Sequence, residues 1–166
     1  AVQGHATAQF NLASMLLQGE GVAKDTVGAR KWLESAAVQG HSYAQFQLGL
    51  LLAQGIDVEA DAELAAKWYH KAADQGDAPA QYNLGYMYAN GQGVEQDHAQ
   101  ALHWYQLAAA QGLPDVQTNL AFMYANGQGV ERDAAQAAYW FERAAVQGHA
   151  TAQFNLGTML LQGEGL

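Results

Sequence analysis

Between Ala78 and Gly112 the apolar and small side chains recur at steps of three and four, not two. Ala80, Leu84, Gly85, Met87 and Tyr88 share one stripe, which predicts a short amphipathic helix. Asn90-Gly91-Gln92-Gly93 ends it, because glycine reaches the left-handed conformation that closes a helix. Val94 follows as an apolar plug under the turn. Asp97 then stands where a carboxylate caps the first free amides of a second helix. That helix carries Ala101, Trp104, Tyr105, Ala108 and Ala109 at helical spacing and stops at Gln111-Gly112. Ala80, Gly85, Ala101 and Ala108 are small enough to let the paired helices approach, with Leu84 and Trp104 filling the space between them.

The pattern repeats along the whole chain. Gln-Gly pairs stand at Gln3-Gly4, Gln39-Gly40, Gln75-Gly76, Gln111-Gly112 and Gln147-Gly148, a step of 36 residues each time. Trp32, Trp68, Trp104 and Trp140 keep the same step, as do Asp25, Asp61, Asp97 and Asp133. Residues 1–21 and 145–165 differ only at Ala13/Gly157 and Ser14/Thr158. The expected fold is all-α: a single solenoid over 1–166, with units near 5–40, 41–76, 77–112 and 113–148 and a partial unit 149–166. One pair of such short helices is marginal alone, and stacking on neighbours buries both faces. Neither end carries the polar face of a capping repeat, so a fragment of a longer array, or ends covered by something else, is expected.

Ala80, Leu84-Gly85, Tyr88, Gly91, Gly93-Val94, Asp97, Ala101, Trp104-Tyr105, Ala108-Ala109 and Gly112 together resemble the Sel1-like repeat (SLR), a relative of the tetratricopeptide repeat. The resemblance covers the chain. It implies a right-handed superhelix and, for most such proteins, an adaptor's work in signalling, quality control or bacterial envelope and host-interaction processes. Some relatives are rich in cysteine and disulfide-linked; this chain has no cysteine. Two units depart from the pattern. Gly55-Ile56-Asp57-Val58 lacks the second loop glycine, and Asp57 is expected to tolerate the left-handed turn. Pro114, Val116, Thr118 and Ala121 alter the start and packing of the next first helix, where local irregularity is expected.

Composition narrows the chemistry. Sixteen acids against seven bases give a charge of −9, with no basic stripe to neutralise phosphates, so nucleic acid is not an expected partner. No apolar run approaches membrane-spanning length, and with no charged-then-apolar leader at the start of the sequence, any targeting segment is expected to have been removed or never present. The compartment, bacterial cytoplasm or periplasm, stays open. The glycine loops lack the strand and Lys-Ser/Thr pair of a phosphate-binding loop. His5, His41 and His149 fall on separate layers, and His98 and His103 point apart on one helix, so no metal or other cofactor is expected. Ser14, Ser35 and Ser42 stand in no nucleophile elbow. The recurring aspartates are helix caps, and the tryptophans, fixed beside Ala-Ala, are core.

A partner would then lie across the first helices of successive units. Three rows face it: Phe10, Phe46, Tyr82, Thr118 and Phe154; Ser14, Leu50, Tyr86, Phe122 and Thr158; and Asn11, Gln47, Asn83, Asn119 and Asn155, with Asn90 and Asn126 a turn or two on. Amides suit an extended backbone, aromatics supply anchoring pockets, and Tyr86 and Phe122 are expected to be exposed. The expected contact residues are Phe46, Leu50, Tyr82, Asn83, Tyr86, Asn90, Asn119, Phe122 and Asn126. Packing of the first row between helices, and of the amides between layers, stays open beside this. The expected function is a non-catalytic adaptor binding a peptide or partner domain, with end-to-end self-association possible. The alternatives are a glycan- or peptidoglycan-binding module and a hydrolase.

Overall fold

The computed structural model describes residues 4–56 and 59–165. Among these are nine helices and no strand: α1 (Ala6–Gln18), α2 (Thr26–Val38), α3 (Ser42–Gln54), α4 (Ala62–Asp74), α5 (Ala78–Asn90), α6 (His98–Ala110), α7 (Pro114–Asn126), α8 (Ala134–Ala145) and α9 (Ala150–Gln162). The expected turn at Asp57 lies outside the described residues. By its contacts the chain divides into two units, one running to Ala80 with Gln92–Val94, the other comprising Gln81–Gly91 and the chain from Glu95.

Capping starts every second helix as the sequence predicts. Asp25 accepts from Gly28 N (2.8 Å), Asp61 from Leu64 N (2.9 Å), Asp97 from Ala99 N and Gln100 N (2.9 and 3.0 Å) and Asp133 from Gln136 N (3.0 Å). Of the first helices, α3, α5 and α9 use a less obvious cap, whereas His5 makes no such bond at the start of α1. The Nδ1 atoms of His41 and His149 accept from Ala44 N and Ala152 N at 3.3 Å, and Asp77 accepts from Ala80 N at 2.9 Å. α7 has no side-chain cap at Leu113, yet runs regularly for 13 residues. Pro114 occupies its first turn, where the missing N–H is no loss, and the expected irregularity does not arise.

In the first unit α1 packs on α2, α2 on α3 and α3 on α4. In the second, α6, α7, α8 and α9 pack in succession. The second helices bury Leu33, Tyr69, Tyr105 and Phe141. These are the residues one place after each tryptophan. Trp104 is also buried, but Trp32, Trp68 and Trp140 are only half-buried, which corrects the expectation that all four are core. Facing the buried ring is a small residue one helix earlier. A Cβ on Gly49 would lie 2.7 Å from the Tyr69 ring, and one on Gly85 3.0 Å from that of Tyr105.

The Gln-Gly pairs also do more than mark the period. Gln39 Nε2 donates to Gln9 Oε1 (2.6 Å) and Gln75 to Gln45 (2.7 Å) in the first unit. Gln111 donates to Gln81 and Gln147 to Gln117, both at 2.8 Å, in the second. The inner glutamine is buried, and Gln45 and Gln117 spend their own amide hydrogens on Ala37 O (3.0 Å) and Ala109 O (3.1 Å) at the ends of the preceding helices. An amide can be donor and acceptor together, so one glutamine ties two helix ends at once.

Candidate functional site

Within the second unit, α5 and α7 border a groove of about 720 Å³. Tyr82, Tyr86, Ala89 and Asn90 line it from α5, and Asn119, Phe122 and Met123 from α7. Tyr105 reaches it from α6, and His98 with the Gly127–Gly129 turn closes one side. At Gly129 the backbone takes φ 71°, and a Cβ would run into the Cβ of His98, so only glycine fits there.

Local packing sets each side chain. The Tyr82 ring rests on Tyr105, centroids 5.7 Å apart, and Asn119 Nδ2 donates across the groove to Tyr82 Oη at 3.1 Å. Asn90 Nδ2 donates to Tyr86 O (2.8 Å). Tyr86 is 46 % exposed. Phe122 is half-buried, set edge-on to Phe141 at 5.1 Å, and is less exposed than its place in the pattern predicts. Burial, with Tyr82 and Tyr86 nearby, pushes the Tyr105 phenol well up, so it stays neutral. No Asp, Glu, Lys or Arg lines this groove.

Five of the expected contact residues therefore meet in one place: Tyr82, Tyr86, Asn90, Asn119 and Phe122. Asn126 lines a second cavity, of about 230 Å³, with Phe122, Asn155 and Arg132, whose guanidinium holds Glu164 at 3.3 Å. Asn83 is half-buried on α5 and is not among the groove's lining residues. Phe46 and Leu50 are half-buried on α3 of the first unit, where Phe46 packs on Tyr69 at 5.9 Å. Ala89, Tyr105, His98, Met123 and the Gly127–Gly129 turn are the lining residues that sequence reasoning missed. The Trp-Tyr dipeptide was the available signal for Tyr105.

First-row packing is now visible too. Phe10 stacks on His41 at 4.7 Å, and Thr118 is buried with its hydroxyl 3.0 Å from His149 Nδ1. Ala152 N donates to the same nitrogen at 3.3 Å, and His149 Nε2 lies 3.0 Å from Asp115 Oδ1. Among the described residues no group of three or more His, Asp or Glu side chains is placed to hold a metal ion. No described helix is long and apolar enough to cross a membrane.

Residues 6–41, 42–77, 78–113, 114–149 and 150–166 each match the Sel1 repeat. Comparison with curated proteins gives no match. The crystal structure of c5321, a protective antigen present in uropathogenic Escherichia coli strains and displaying an SLR fold, is similar over all of this chain, with 36 % identity and a TM-score of 0.96. This chain spans 36 % of the length of that protein. A Sel1 repeat protein from Oxalobacter formigenes is 32 % identical with a TM-score of 0.93, over 99 % of this chain and 68 % of the other. Helicobacter pylori cysteine rich protein B shares the fold alone, at 24 % identity and a TM-score of 0.57, over 67 % of this chain and 86 % of its own.

Proposed function

Because the chain belongs to the Sel1 repeat family, whose members generally serve as non-catalytic scaffolds for protein interaction, we propose that it is an adaptor holding a peptide segment of a partner in the α5–α7 groove. The observation that carries this is the convergence of Tyr82, Tyr86, Asn90, Asn119 and Phe122 on one groove of about 720 Å³. Half-exposed rings supply anchoring surface, and fixed amides supply orientation. In the first unit Phe46 and Leu50 hold the repeat positions of Tyr82 and Tyr86 and form the corresponding contact surface. The exposed apolar side chains of α9 support a second interaction, self-association.

A quantitative pull-down tests the groove, comparing the chain with its Tyr86→Ala/Phe122→Ala variant. Matched thermal unfolding guards against loss of the Phe122–Phe141 contact. A protein captured by the first and lost from the second is the expected result. Equal capture by both would move the interface elsewhere.

A further inference from the structure

We infer that the open face of α9 is a seat for a partner protein's amphipathic helix, one that brings a tyrosine and, six residues later, a glutamine. The inference is separate from the α5–α7 groove and rests on the exposure of α9 that also supports self-association. α1 and α9 carry almost the same side chains but not the same burial. Phe10, Leu16 and Leu17 are half-buried in α1, on which α2 packs, whereas their counterparts Phe154, Leu160 and Leu161 are exposed. What α9 is shaped to hold is legible in α3. Ala152-Gln153-Phe154 and Leu156-Gly157 repeat Ala44-Gln45-Phe46 and Leu48-Gly49 residue for residue. In α3 these side chains seat α4. The Tyr69 ring rests on Phe46, centroids 5.9 Å apart, and a Cβ on Gly49 would lie 2.7 Å from it. Six residues on, Gln75 Nε2 donates to Gln45 Oε1 at 2.7 Å.

The same contacts recur in the second unit. Tyr105 rests on Tyr82 at 5.7 Å, a Cβ on Gly85 would lie 3.0 Å from its ring, and Gln111 donates to Gln81 at 2.8 Å. Where the small residue is alanine, the tyrosine's repeat position holds another side chain: Leu33 with Ala13, Phe141 with Ala121. Glycine therefore accompanies tyrosine. In α9 both parts of the seat are open. Phe154 and Gly157 are exposed, and a Cβ on Gly157 would meet nothing within 4 Å. Gln153 spends its Nε2 on Ala145 O (3.0 Å), as Gln45 does on Ala37 O, and among the described residues nothing donates to its Oε1. α9 has no charged residue, so shape and this amide select the occupant. A helix of the α4 kind fits, because Ala65, Ala66, Ala72 and Ala73 around Tyr69 let it lie close. A second copy of this chain offers no such helix in its folded state, since its Tyr69 and Tyr105 are buried in their own seats.

The test is a titration of the isotope-labelled full chain with two synthetic peptides, followed by NMR. The first has the sequence of residues 59–76, and the second is its Tyr69→Leu variant. Saturable shifts at Gln153, Phe154 and Gly157 with the first are expected, and the second should bind about tenfold more weakly. Gly157→Ala in the chain puts a methyl where the ring would lie. It should weaken the tyrosine peptide about tenfold and leave the leucine peptide unaffected, as Ala13 is matched with Leu33. The variant chain itself folds, because that methyl meets nothing within 4 Å. Equal binding of the two peptides, or tyrosine-peptide binding unmoved by Gly157→Ala, would overturn the tyrosine seat and leave α9 a general apolar surface. Shifts with neither peptide would also overturn it, and light scattering on the same samples would show whether self-association through α9 stands without it.

Discussion

At the scale of single residues, His41 makes the stability of the first unit pH-dependent. Its neutral Nδ1 accepts from Ala44 N, and its ring stacks on Phe10, 4.7 Å away. Burial is the larger influence on its pKa and lowers it from the ordinary 6.5, against a smaller opposing backbone hydrogen bond. The unfolded chain therefore takes up a proton before the folded one does. Stability is complete above pH 6.5 and is lost as pH falls through the lowered folded value. His41→Asn keeps a capping side chain that does not titrate. Urea midpoints at pH 7.5 and 5.5 should differ less for the variant than for the wild type, and equal slopes would refute the account. Asp77 carries the opposite sign. Burial raises its carboxyl above the ordinary 3.8, so its contribution is complete below that pH and is lost as pH rises through the raised value.

At the scale of helices, the pairing of a small residue with a buried ring predicts two opposite outcomes for one substitution. In Gly49→Ala the new methyl meets the Tyr69 ring at 2.7 Å, inside a ring that is 3 % exposed and has nowhere to retreat. The strain, about 1–3 kcal/mol, outweighs the ~1 kcal/mol that alanine gains over glycine in a helix. In Gly157→Ala nothing lies within 4 Å, so that gain stands alone at about 0.5–1 kcal/mol. Denaturant unfolding should show the first variant weaker and the second stronger than the parent; the same sign for both would sink the pairing. Helix spacing and the capping aspartates were legible in the sequence, because period and cap chemistry are local. The burial partner was not. Trp104 and Tyr105 stand about 100° apart on their helix, and a stripe that wide does not say which of two neighbours turns inward. The glutamine clasps were hidden similarly, since Gln9 and Gln39 are 30 residues apart and only the folded pair shows why both are amides. Of the groove, the α5 and α7 residues were readable as rows, whereas Tyr105 and His98 enter from a second helix that those rows do not contain.

At the scale of the whole molecule, the self-association proposed through α9 would compete with repulsion between like-charged chains. Phe154 and Leu161 are 74 % and 91 % exposed, and Leu160 lies beside them at 49 %, an apolar surface of the kind that soluble proteins usually cover. Each copy also carries a charge of −9, which opposes close approach of a second. Salt separates these contributions. Shortening the Debye length from about 30 Å at 0.01 M to about 8 Å at 0.15 M weakens the repulsion and leaves apolar burial intact. Light scattering should therefore give a mass that rises with protein concentration, and rises more steeply at 0.15 M than at 0.01 M salt. Leu161→Glu and Phe154→Glu, both at exposed positions, should hold the chain monomeric without lowering its unfolding midpoint. A strict monomer under every condition would show that α9 does not support association. Association that weakens with salt would point instead to ion pairing between the dispersed acids and the few bases.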